Sequence, residues 1–107
     1  MREAIVLMDR SMGDAESFIR ADHAFHVALA EGTQNPLLPM LIDSIGELVR
    51  ETRHLVFEVT GSPSRGQHYH RELLEAVERH DGATARKTMG EHLDQFDADI
   101  RLAKNSH

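Results

Sequence analysis

The chain has 107 residues, with 12 lysines and arginines against 18 aspartates and glutamates, for a formal net charge of −6. This length suits one domain, and no apolar run approaches the roughly 18 residues that a transmembrane helix needs. We therefore expect no membrane partner. The chain has no cysteine, which excludes disulfides and thiolate metal sites, and a cytoplasmic protein is expected. Because no run of basic residues occurs, we expect this chain not to bind nucleic acid by itself.

Turn-forming residues divide the chain into helical segments. Asp14 and Asn35 are N-cap candidates, and Ser62 is expected to cap a helix that has Pro63 at its first position. Apolar residues recur at spacings of three and four, which is typical of helices rather than strands. Short connections favour antiparallel neighbours, so the sequence predicts an all-α antiparallel bundle of about five helices. The predicted helices lie near 2–12, 15–32, 36–59, 63–80 and 82–104.

The first predicted helix carries four consecutive apolar residues, from Ile5 to Met8. One face of a bundle cannot bury residues that point in several directions. We therefore expect these residues to meet another part of a longer protein or a second copy of the chain. Symmetric pairing is the commonest result of such a surface, which predicts a homo-oligomer, in particular a dimer.

Eight histidines are the most unusual feature of the composition. Asp22 and His26 lie four residues apart, so they share one helical face beside an apolar stripe that includes Phe25. His70 and His92 each stand at helical spacing from apolar residues, and both are predicted to point inward. The other histidines are not assigned to this group. His23 is expected to be solvated, and His68, two residues from His70, cannot share its direction around the helix. The remaining three are His54, His80 and His107.

Three inward imidazoles and one carboxylate form a donor set suited to Zn²⁺, Ni²⁺ or a similar divalent ion. Facing helices of a bundle can converge such groups on one ion. The competing interpretation is that each histidine is a core residue bonded to a backbone carbonyl. The helical phase favours one metal ion held by Asp22, His26, His70 and His92.

Arg50 and Arg53 lie on the long third predicted helix. They are either solvated partners of nearby glutamates or members of an effector site, where a guanidinium pairs bidentately with an anionic ligand. Gly46 stands in the middle of the same helix, where glycine costs roughly 1 kcal/mol relative to alanine. It permits close helix packing or leaves room for a ligand, and the sequence does not decide between the two.

Several ordered motifs resemble one known family. They are the Asp-x-x-Phe-His pattern at 22–26, Asn-Pro-Leu-Leu at 35–38, His-Arg-Glu-Leu-Leu-Glu-Ala-Val at 70–77, and Asp81 followed by Ala85, Met89 and His92-Leu93. From about residue 3 to residue 100, the chain resembles the ligand-binding C-terminal (FCD) domain of FadR-like GntR-family transcriptional regulators.

The resemblance implies an antiparallel α-helical bundle that is usually dimeric. It implies a divalent metal held by an Asp and three His, at the positions of Asp22, His26, His70 and His92. It also implies a small organic acid as effector, whose binding changes the DNA affinity of an attached winged helix-turn-helix domain.

The chain departs from this family in two respects. It has no winged helix domain, so DNA is expected only through a domain absent from this chain, and the first helix or two of the bundle are also expected to be missing. Residues 1–107 are thus expected to form a single, N-terminally truncated FCD-like domain that senses an effector and is not an enzyme. The alternatives are a small hydrolase-like metalloenzyme and a ligand-free dimerisation domain.

Overall fold

The structure is a computed structural model and describes residues 1–105. Within these residues the chain is all-α, as predicted, with no strand. The helices are α1 (Arg2–Asp9), α2 (Ala15–Glu31), α3 (Leu37–Leu48), α4 (Arg50–Phe57), α5 (Ser62–Glu78) and α6 (Gly82–Asn105). None of these helices is long and apolar enough to cross a bilayer. His107, one of the histidines not assigned to the metal site, lies outside the described residues.

The predicted continuous helix over 36–59 is wrong, because Val49 separates α3 from α4. Val49 has φ −103° and ψ 10°, outside the helical range, although its N–H still donates to the carbonyl of Ile45 at 3.0 Å. Val is stiff at χ1 and is a weaker helix former than the residues around it. The other four predicted helices are present with ends shifted by three residues or fewer.

The described chain divides into two compact units. The first is formed by Met1–His54, and the second begins at Leu55. In the first unit, α2 packs against α1 and α3. The carboxylate of Asp14 caps α2, since it accepts hydrogen bonds from the backbone N–H of Ser17 at 3.3 Å and from its hydroxyl at 2.8 Å. The N-cap of α3 is Pro36 rather than the predicted Asn35, but the side-chain oxygen of Asn35 still accepts from the N–H of Leu37, the first residue of the helix, at 3.1 Å.

The apolar residues of the first unit are unevenly covered. Met8 and Phe25 are fully buried, whereas Val6 and Leu7 of α1 are about half exposed. Helix α3 buries no residue at all. Five of its large apolar side chains are exposed by about half or more, namely Leu37, Met40, Leu41, Ile45 and Leu48, whereas Leu38 and Ile42 are partly buried.

In the second unit, α5 packs antiparallel against α6 across a short connection. The left-handed Gly61, with φ 82°, precedes α5. Ser62 is not the capping residue that was predicted: it is buried within the first turn, and its hydroxyl donates to Asp99 of α6 at 2.8 Å. The carboxylate of Asp81 caps α6 by accepting from the backbone N–H and the hydroxyl of Thr84, at 3.0 and 2.6 Å.

Candidate functional site

Asp22 and His26 are two of the four predicted metal ligands, and both lie on α2. The Nε2 atom of His26 is 3.2 Å from Oδ1 of Asp22, and both side chains are largely buried. The ring of His26 also makes an edge contact with Phe25, with ring centroids 5.3 Å apart. The predicted shared face is therefore present, and it places a carboxylate and an imidazole together beside apolar core.

His70 of α5 and His92 of α6 are the other two predicted metal ligands. Their ring centroids are 4.8 Å apart, at an interplanar angle of 81°. Both residues are buried, as predicted from helical phase. Gly66 lies next to them, because a Cβ at this position would be 3.9 Å from Cε1 of each ring. Two imidazoles on facing helices thus lie close enough to act on one ligand.

Each of these two imidazoles is hydrogen-bonded to a glutamine on its own helix. Nδ1 of His70 is 2.7 Å from Oε1 of Gln67, and Nδ1 of His92 is 2.9 Å from Oε1 of Gln95. Sequence reasoning missed both glutamines. The available signal was their spacing, since each stands three residues from its histidine and therefore on the same helical face.

Asp99 extends the hydrogen bonding away from His92, and it was also missed. Its carboxylate accepts from Nε2 of Gln95 at 2.7 Å, from the hydroxyl of Ser62 at 2.8 Å and from Nη2 of Arg65 at 2.7 Å. Burial disfavours the charged carboxylate, but the hydrogen bonds from Arg65, Gln95 and Ser62 outweigh it and lower the pKa of Asp99. The buried carboxylate is therefore ionised at neutral pH.

The predicted effector residues Arg50 and Arg53 line a cavity of about 280 Å³ in the first unit. Arg50 pairs with Glu16 rather than with the neighbouring glutamates considered from the sequence, and Glu16 also lies 3.1 Å from Nε2 of His54. Arg53 is half-buried and has no ion-pair partner within residues 1–105. Neither Asp22 nor His26 lines this cavity.

His23 also borders this cavity and was predicted to be solvated. That prediction is wrong, because its side chain is only 29% exposed and its Nε2 lies 2.6 Å from Oδ1 of Asp43. His68 is exposed and pairs with Glu72 at 3.1 Å, so it does not share the direction of His70. His80 lies beyond α5 in a left-handed conformation, with φ 56°.

The comparisons with known proteins agree with this architecture. The FCD domain family matches residues 1–95, and the chain belongs to this family. The resemblance to regulators of the FadR-like GntR group is thereby confirmed for this domain.

A particular relative is the HTH-type transcriptional regulator LutR of Bacillus subtilis (strain 168), which is 35% identical over 98 residues. The alignment covers 87% of this chain and 45% of LutR, so the chain spans less than half the length of that relative. No solved structure matches the chain.

Proposed function

We propose that this chain is the effector-sensing domain of a GntR-family transcriptional regulator, and that it binds a small organic acid at a divalent metal ion. Membership of the FCD family and similarity to a transcriptional regulator support the sensing role. The observation that carries the metal is the facing pair of buried imidazoles, His70 and His92. We assign no catalytic residue and place the domain in the cytoplasm.

The proposed metal ligands are Asp22, His26, His70 and His92. Imidazole nitrogens and a carboxylate oxygen are donors that Zn²⁺ and Ni²⁺ accept, which makes these two ions our preferred candidates. The carboxylate already lies beside an imidazole in the first unit, and the other two imidazoles face each other in the second. When bound, a divalent ion with a single anionic ligand keeps net positive charge, which attracts the carboxylate of an effector.

Arg50 and Arg53 are the proposed effector-binding residues of the protein itself. Arg53 is the stronger of the two, because it lines the cavity and has no ion-pair partner among the described residues. Arg50 shares its charge with Glu16. A guanidinium recognises a carboxylate through two parallel N–H donors, which fits an organic acid.

The exposed apolar face of α3 supports self-association, and we propose a dimer. Leu48 is 85% exposed and Leu37 is 63% exposed, on a helix without buried residues. DNA contact is assigned to a winged helix domain outside residues 1–107. Effector binding controls such a domain only if the effector has different affinities for two arrangements of the protein.

The decisive experiment measures metal content by mass spectrometry after dialysis against trace Zn²⁺. We expect one ion per chain in the unchanged protein, and loss of stoichiometric metal in His92→Ala. His68→Ala is the matched control, because His68 is an exposed histidine paired with Glu72, and it should retain the ion. Metal content that stays near one per chain in His92→Ala would show that the assigned ligands are wrong.

A further inference from the structure

The orientation of the Gln95 side chain is determined by the charge of Asp99. An ionised carboxylate has no proton to donate and can only accept hydrogen bonds. The 2.7 Å contact between Gln95 and Asp99 must therefore use the amide NH₂ of Gln95 as donor. The amide oxygen of Gln95 then points the other way, toward Nδ1 of His92 at 2.9 Å.

The same reasoning continues into the imidazole ring. An amide oxygen only accepts, so Nδ1 of His92 must carry the proton in this contact. In a neutral imidazole, protonation of Nδ1 leaves Nε2 as the nitrogen with a lone pair. A metal ion binds an imidazole through the nitrogen that carries the lone pair, which is Nε2 in this tautomer.

Two further donors hold Asp99 in the charged state on which this orientation depends. Arg65 contributes a charge-assisted hydrogen bond to Oδ1 at 2.7 Å, and the hydroxyl of Ser62 donates to Oδ2 at 2.8 Å. The Asp99 side chain is only 3% exposed, so water does not compete freely for it. The carboxylate is thus fixed as an acceptor in a defined place.

We propose that Gln95 and Asp99 are positioning residues that hold His92 in the Nδ1-protonated tautomer and so present Nε2 to the metal ion. The metal part of this inference rests on the proposed function, whereas the tautomer is a property of the metal-free protein. Partners of this kind, hydrogen-bonded to a metal-binding histidine, contribute about 10–100-fold to metal affinity.

The first test is a long-range ¹H–¹⁵N NMR experiment on the imidazole rings of the full metal-free chain at neutral pH. The nitrogen shifts identify which nitrogen of His92 carries the proton. We expect protonated Nδ1 in the unchanged protein. Protonated Nε2 on a neutral ring would overturn the proposal without any variant being required. Because no metal is present, this result is independent of whether the chain binds one.

The second test uses two variants, one that removes the side-chain amide at position 95 and one that exchanges the amide and the carboxylate between positions 95 and 99. Gln95→Leu removes the acceptor, so we expect loss of the tautomer preference and a Zn²⁺ affinity about 10–100-fold lower by competition titration. The double variant Gln95→Glu with Asp99→Asn places an acceptor-only carboxylate beside Nδ1 and an amide donor beyond it. This variant should restore the Nδ1-protonated form and most of the affinity.

The matched control is Asp97→Asn, which removes a carboxylate that is 59% exposed on the same helix. It should leave both the tautomer and the Zn²⁺ affinity unchanged. Unchanged tautomer and affinity in Gln95→Leu would contradict the positioning role. If the unchanged protein shows the expected tautomer but binds no Zn²⁺, the metal function fails while the orientation of His92 stands.

Discussion

Gly46 of α3 lies against the imidazole of His23 of α2, so closely that a Cβ at Gly46 would be 2.7 Å from Cε1 and 2.8 Å from Nδ1 of the ring. Side-chain carbons do not approach this closely without displacement. This contact supports close packing as a role of Gly46, which also lines the cavity beside Arg50 and Arg53. The glycine lets His23 reach Asp43.

Gly46→Ala should fail to give the stabilisation of roughly 1 kcal/mol that alanine normally brings to a helix interior. The new methyl group displaces His23 and weakens its hydrogen bond to Asp43, which costs on the order of 1 kcal/mol. Gly90→Ala is the control, because nothing lies within 4 Å of a Cβ there. Urea unfolding should show stabilisation for Gly90→Ala alone; equal gains in both variants would contradict the packing role.

Asp99 should make the stability of the protein sensitive to acid. Its pKa is lowered in the folded state, so its contribution is complete above the unfolded value of about 3.9 and is lost as pH falls through the lower folded value. The stability advantage of the unchanged protein over Asp99→Asn should therefore shrink below about pH 4. Urea unfolding from pH 7 to pH 3 measures it, and a constant difference would exclude this linkage.

Zn²⁺ should raise the melting temperature of the protein. A ligand that binds only the folded state stabilises it by about 2.7 kcal/mol at 100 times its dissociation constant. The shift should disappear on adding a chelator and in His92→Ala, and it should persist in His68→Ala. Differential scanning calorimetry with and without the ion checks this. A shift of the same size in His92→Ala would place the ion elsewhere.

Removal of the Arg53 guanidinium should weaken the binding of an organic acid. Malate is a suitable probe, because it is both a hydroxy acid and a dicarboxylate. We expect Arg53→Ala to reduce malate affinity by about 10-fold or more, the effect of losing a charged hydrogen bond. Arg86→Ala removes an exposed arginine of α6 and serves as the control. Calorimetric titration of Zn²⁺-loaded protein measures both, and equal affinities would remove Arg53 from the site.

The apolar surface of α3 should drive self-association. We expect light scattering to report a dimer at micromolar concentration, and Leu48→Glu to shift it toward the monomer by placing a charge on this surface. Leu102→Glu changes a half-exposed leucine of α6 and should leave the dimer intact. A monomer in the unchanged protein would mean that α3 does not pair with a second copy.

Local chemistry made much of the fold predictable. Asp14 caps α2, and the side chain of Asn35 accepts from the first N–H of α3. These hydrogen bonds reach residues only two or three positions away, so the helix starts can be recognised without knowledge of the rest of the chain. The pairing of Asp22 with His26 follows in the same way from the geometry of one helical turn. The inward direction of His70 and His92 was also predictable from the spacing of apolar residues.

Tertiary packing decided the rest, because burial depends on what lies opposite a side chain. The apolar residues of α3 recur with helical spacing, yet none of them is buried and most stay exposed. The buried face of α6 carries Thr88, His92 and Asp99, whereas the apolar Leu93 is 57% exposed. Asp99 lies beside Ser62 and Arg65, more than 30 positions away along the chain. Spacing within a helix carries no information about such partners, because they lie on another helix. Only the packing of α5 on α6 brings together the groups that keep the Asp99 carboxylate charged, and the proposed tautomer of His92 depends on that packing.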